Sequence, residues 1–290
     1  MSASNGAPQW PNFQGQANRV GTSPSGRVTV YVDSAIGPQG VQNANDLLAD
    51  ADRVVRANDH IFGTGSGSVN VIVFALGGAT DGTGGADHGG CDYVVGNNIE
   101  VCAAFGNSMR VSALFEAELS ECNMGGNLCG VSTGEALSRW CAASVSNNAL
   151  GDFATAPDWY NQGEPDFVSQ TDPTDRNPVS TGCGMAFISW LLSQNYALPT
   201  IAQGLVGLGA GGTFAQLWGQ LSGNDPSTAF LTFSGAVNGL AGGVTSDDPF
   251  GAMGTVTTAL APARPRSHRL FGPGHRPAPT TRAARAARSR

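Results

Sequence analysis

Lysine is absent from this 290-residue chain; all fifteen basic residues are arginine, which points to a GC-rich genome. No lysine means no Schiff-base chemistry on a lysine amine. Charged residues are scarce at 13%, and the first 260 residues hold only two histidines, His60 and His88. None of the six cysteines shows CxxC spacing, so a structural zinc cluster is not expected. No apolar run approaches the length of a membrane span, and the N-terminal "MSASNGAPQW" carries no apolar leader. Export therefore implies a lost leader or another route. Glutamate is rare too, with six in all, yet three of them fall within "LFEAELSEC".

Charge is unevenly spread. Residues 1–260 hold all 22 acids and seven arginines, while the segment from Ala263 holds eight arginines and no acid. An acidic body repels phosphates, which argues against nucleic acid as its partner. The basic end, rich in Pro, Gly and Arg without apolar periodicity, reads as a disordered tail over 251–290. Residues 1–27, rich in Gly, Ser, Asn, Gln and Pro, read as an irregular arm. A single domain is expected over 28–250.

An even count of cysteines, Cys91, Cys102, Cys122, Cys129, Cys141 and Cys183, favours three disulfides and an extracellular or cell-surface location; the alternative is a set of buried thiols. Cys122 and Cys129 bracket "NMGGNL", a loop that one bridge would close.

"RVTVYVD" alternates as a strand, "GVQNANDLLADADRVVRANDHIFG" has helical apolar spacing, and "VNVIVFAL" reads as a strand buried on both faces. A strand, helix and strand in this order predict a parallel pair with a crossover. The glycine-dense "GGATDGTGGADHGGCDY" reads as a flexible connection. Its Asp81, Asp87 and Asp92 lack the spacing of a known calcium loop. "NNIEVC" suggests a short edge strand, and the second half is helical, with "TGCGMAFISWLLSQN" capped by Ser180 or Thr181. The fold class is α+β.

Glu118 and Glu121, at i and i+3, share one helix face, flanked by Val111, Leu114, Phe115 and Leu119. Glu116 points elsewhere and reads as solvated. Neighbouring acids in a partly apolar cleft share protons, one pKa rising and one falling, which yields an acid and a base. The bland alternative is surface charge paired with Arg110 or Arg139. "QTDPTDRNPVSTGC" places Asp175, Arg176 and Asn177 before a capped helix, either as cleft-lining groups or as ordinary turn chemistry. Trp159, Tyr160 and Phe167 offer rings for stacking on a sugar, or pack their own loop; Trp140 and Trp190 read as core.

The order strand, helix, apolar strand, then "AELSE" on one helix and "STGEALSR" on the next resembles the gluzincin branch of the zincin metallopeptidases. "AELSE" falls where that family has HExxH, and "STGEALSR" where its third-ligand helix lies. The resemblance implies a zincin-like small mixed sheet with an early crossover helix. By it Glu118 matches the general-base glutamate and Glu135 the third ligand, while Ala117 and Glu121 replace the two histidines. Conventional zinc proteolysis is therefore not expected. With Glu121, Glu135 and His88 as candidate ligands, a hard cation (Ca, Mg or Mn) suits the donors better than Zn. The expected function is a secreted, monomeric hydrolase-like protein acting on an extracellular peptide or glycan, with Glu118, Glu121 and Glu135 as catalytic groups. Asp175, Arg176, Asn177 and Tyr160 would contact the substrate. The alternatives are an inactive relative that binds or supports, and a glycoside hydrolase with paired glutamates.

Overall fold

The computed structural model describes residues 8–65, 67–75, 85–91, 93, 97–126 and 128–253. The body, Met1–Leu260, forms one compact unit; the Arg/Pro-rich tail from residue 254, together with Asp81 and Asp92, lies outside the described residues.

The architecture is α+β, with one five-stranded mixed sheet and eight α-helices among the described residues. The strands are β1 (Ala17–Thr22), β2 (Val28–Asp33), β3 (Val69–Phe74), β4 (Ala86–His88) and β5 (Asn98–Cys102), in the spatial order β1-β2-β3-β5-β4. β2, β3 and β5 run parallel, and the two edge strands, β1 and β4, are antiparallel to their neighbours. α1 (Gly37–Phe62) is the crossover between β2 and β3, stopped by Gly63 in the left-handed conformation. Its Ala44, Leu47, Ala51, Val54, Val55 and Ile61 are buried at helical spacing.

Alternation along the strands builds two layers. Val28, Val30, Val71, Val73, Ile99 and Val101 face the main core under the helices. Ile72, Phe74 and Cys102 face the other side, where Trp10, Phe13, Ala17 and Tyr31 cover them. Phe13 packs on Phe74 with ring centroids 6.0 Å apart, and Trp10 on Tyr31 at 5.3 Å. The buried Glu100 on β5 accepts from the Asn12 and Phe13 backbone N–H groups at 2.9 and 2.6 Å. The stretch expected to be an irregular arm is thus partly strand and partly a cover for the sheet. Its polar composition hides a strand that only pairing with β2 stabilises. β5, expected at an edge, is internal, because three residues of the supposed flexible connection form β4 outside it.

α2 (Ser108–Met124) and α3 (Ser132–Val145) follow; then come α4 (Ala156–Asn161), α5 (Pro178–Ser193), α6 (Leu198–Leu208), α7 (Phe214–Ser222) and α8 (Ala229–Val237). Asn177 caps α5, its side chain accepting from Val179 N–H at 3.0 Å, so neither Ser180 nor Thr181 is the cap. Trp140, Trp159, Phe187 and Phe233 are buried in the core, and Phe187 lies 5.1 Å from Phe233. No helix among the described residues is long and apolar enough to cross a membrane.

Candidate functional site

α2 is enclosed on several sides, and its three glutamates meet three environments. The Asn107 side chain caps it by accepting from Arg110 N–H at 3.1 Å, and Gly125 ends it. Two residues turn a helix by about 200°, so Glu116 and Glu118 face opposite ways. Glu116 points toward α1 and is fully buried, which corrects the expectation of a solvated residue. Asn58 donates to its Oε1 at 3.0 Å, and Ser120 lies 3.3 Å away. Burial pushes its pKa up to about 8 against those two hydrogen bonds.

Glu118 and Glu121 face the other way, into a cavity of about 520 Å³. Ala117, Leu114, Glu135 and Arg139 line it from the helices, Asp87 and His88 from β4, and Asp175 and Arg176 from the loop before α5. α3 aims Glu135 at this cavity because Gly134 lets the helix start against the Leu128 carbonyl, into which a Cβ at that position would run.

His88 organises the cluster. Its Nε2 lies 2.8 Å from Glu121 Oε2 and 3.8 Å from Glu118 Oε2, while its Nδ1 meets the Gly90 carbonyl at 2.6 Å. Burial opposes the imidazolium, but the hydrogen bond and charge of Glu121 outweigh it and raise the His88 pKa. Glu118 is raised well above the ordinary carboxyl range, first by burial and then by the charges of Glu121, Glu135, Asp87 and Asp175. Glu135 is pushed to about 8 by burial and by Glu121, with which it shares a hydrogen bond; Arg139 partly offsets this. The neutral form of Glu135 therefore persists through pH 7.

The cysteine expectation is corrected. Among the described residues one disulfide is present, Cys91–Cys129, rather than three, and Cys129 does not pair with Cys122. The bridge ties the segment after β4 to the α2–α3 loop and so holds His88 against the acids. Closing its 38-residue span is worth about 4 kcal/mol by loop entropy. Cys102, Cys122, Cys141 and Cys183 lie buried, and burial raises the Cys141 and Cys183 pKa values. Cys129 Sγ is also 3.8 Å from His88 Nε2 and 3.6 Å from Glu121 Oε2. His88, Glu121 and Cys129 thus offer ligand atoms within 4.8 Å of one another.

Two of the expected substrate residues fall elsewhere. Tyr160 packs beside Gly243 against the core, and Asn177 caps α5 while donating to Asp172 at 2.7 Å; neither lines the cavity. Asp175 and Arg176 do line it, and the Arg176 side chain is almost fully exposed at the rim. Arg110 and Arg139 pair with Asp152 and Asp247, not with the glutamates of α2. Asp87 and Arg139 were not expected in the cavity. Arg139 carried a signal, since it stands four residues after Glu135 on one helix face; Asp87 carried none, because its strand forms only through pairing with β5. No protein-family model matches the chain, and no curated protein matches it.

Proposed function

We propose that this protein is a secreted hydrolase whose cleft works by proton sharing among carboxyl groups, on a scaffold resembling the zincins. The observation that carries the reading is the convergence of Glu118, Glu121, Glu135 and His88 on one cavity, where burial and the neighbouring acids raise the Glu118 and Glu135 pKa values. Buried acids facing one another are destabilising for a helix that has only to pack. In a hydrolysis they divide the labour. Glu118 supplies a proton to the leaving group, and Glu121, in its charge-assisted pair with His88, takes one from the attacking water. Glu135 completes the proton inventory. This departs from the resemblance, by which Glu118 matches the general base and Glu121 stands in place of a ligand histidine.

A peptide suits the cleft better than a glycan. Among the described residues β4 is a terminal strand whose residues line the cavity, so an extended peptide can add beside it through backbone hydrogen bonds. The disulfide supports an oxidising location.

A zinc tripod of the resembled kind does not fit, because Ala117 presents a methyl group where the first ligand would stand. Glu121, Glu135 and His88 are the donors on hand for a divalent cation, which would supply Lewis acidity there. The same Ala117 favours, as second reading, a cleft that binds peptides without cleaving them.

The test is release of fragments from a labelled casein digest by the full chain, with and without added Mn²⁺, read by mass spectrometry. Wild type is expected to cleave, and Glu118→Gln to lose about 10²–10⁴-fold of the rate. Equal cleavage by that variant refutes the hydrolytic reading, and binding without cleavage selects the second one.

A further inference from the structure

The Cys91–Cys129 bridge places a sulfur against a histidine–carboxylate pair, a juxtaposition that neither peptide binding nor proton sharing uses. We propose that reduction of this bridge turns His88, Glu121 and Cys129 into a binding site for a borderline-soft divalent cation of the zinc type. The inference shares the His88–Glu121 pair with the reading above but does not depend on hydrolysis.

Geometry supports it. With Zn–S near 2.3 Å and Zn–N or Zn–O near 2.0–2.1 Å, a tetrahedral ion spaces sulfur from nitrogen or oxygen by about 3.6 Å, and nitrogen from oxygen by about 3.4 Å. Cys129 Sγ already stands 3.8 Å from His88 Nε2 and 3.6 Å from Glu121 Oε2. Only the 2.8 Å hydrogen bond between His88 Nε2 and Glu121 Oε2 must open, by roughly half an ångström, as the ion replaces its proton. The ring is already oriented for this. Its Nδ1 is engaged by the Gly90 carbonyl at 2.6 Å, the kind of support that fixes Nε2 as the metal-binding nitrogen. Glu118, with Oε2 3.8 Å from His88 Nε2, stands ready as fourth donor on the cavity side.

The bridge decides the state. A disulfide sulfur carries no thiolate charge and is a poor ligand, whereas a thiolate beside imidazole and carboxylate selects a zinc-type ion over the hard cations that an all-carboxylate site prefers. The chemistry balances with a small dithiol as reductant. The S–S bond breaks, Cys91 and Cys129 each gain a hydrogen, and the dithiol closes to its own disulfide. Metal entry then releases the Cys129 thiol proton and the proton shared by His88 and Glu121 to solvent.

Cobalt(II) reports the site through its thiolate-to-metal charge-transfer absorption. Cys91→Ser in the full chain leaves Cys129 unbridged without reductant. It is expected to bind one Co²⁺ with that band, whereas oxidised wild type shows no such band. Cys129→Ser is expected to lose the band, and adding His88→Ala to Cys91→Ser to weaken binding on the order of 10–100-fold. Should either cysteine variant fail to fold, as seen by circular dichroism, wild type reduced in place by a phosphine in water, which becomes the phosphine oxide, gives the same reading. A Cys91→Ser protein, or reduced wild type, that takes up Co²⁺ without the band overturns the proposal, as does an undiminished band in Cys129→Ser. None of these outcomes depends on whether casein is cleaved.

Discussion

Glu116→Gln separates burial from function within one helix. In the folded protein the Glu116 pKa stands at about 8 against an ordinary 4.5, a displacement equivalent to roughly 5 kcal/mol at full ionisation. The folded state therefore keeps a proton that the unfolded chain has already lost. The stability tied to the neutral acid is fully present below pH 4.5, declines as pH rises, and is gone above about 8. Glutamine keeps an oxygen for Asn58 to donate to, and it never ionises. Its amide N–H groups, however, arrive where Glu116 Oε2 has no partner among the described residues, at a cost of about 1–3 kcal/mol. The variant should be less stable than wild type by about 0–2 kcal/mol at pH 5 and more stable by about 2–4 kcal/mol at pH 9. Urea unfolding at the two pH values measures both. Glu118 and Glu135 titrate in both proteins and largely cancel in the difference. A Glu116→Gln effect of the same sign and size at pH 5 and pH 9 would refute the buried neutral acid.

If cleavage needs Glu135 protonated, its rate falls as pH passes about 8, and Glu135→Gln removes that alkaline limb from the pH–rate profile. Gly182→Ala drives a Cβ into the Thr155 carbonyl, where α5 meets the start of α4; a loss of about 1–3 kcal/mol should appear in urea denaturation, with no change in Co²⁺ uptake by Cys91→Ser carrying it.

Local pattern carried much of the fold and part of the site. Apolar spacing along α1 and the unbroken Val/Ile run of β3 specify a crossover helix and a buried strand, since each is a property of neighbouring residues alone. The same periodicity placed Glu118 and Glu121 on one face. What it left open was which face of α2 opens to a cavity, because a helix packed on several sides shows no polar stripe to mark its exterior. Glu116, on the opposite face, has the local pattern of a surface residue, and only the packing of α1 buries it. Tertiary structure alone decided the rest. β4, and with it His88 and Asp87, exists by pairing with β5. β1 and the cover formed by Trp10 and Phe13 exist by contact with β2 and β3. Cys129 meets Cys91, not its near neighbour Cys122, because a disulfide answers to distance in space, and the chain from β4 to α2 brings residues 38 apart to a Cα separation of 5.8 Å.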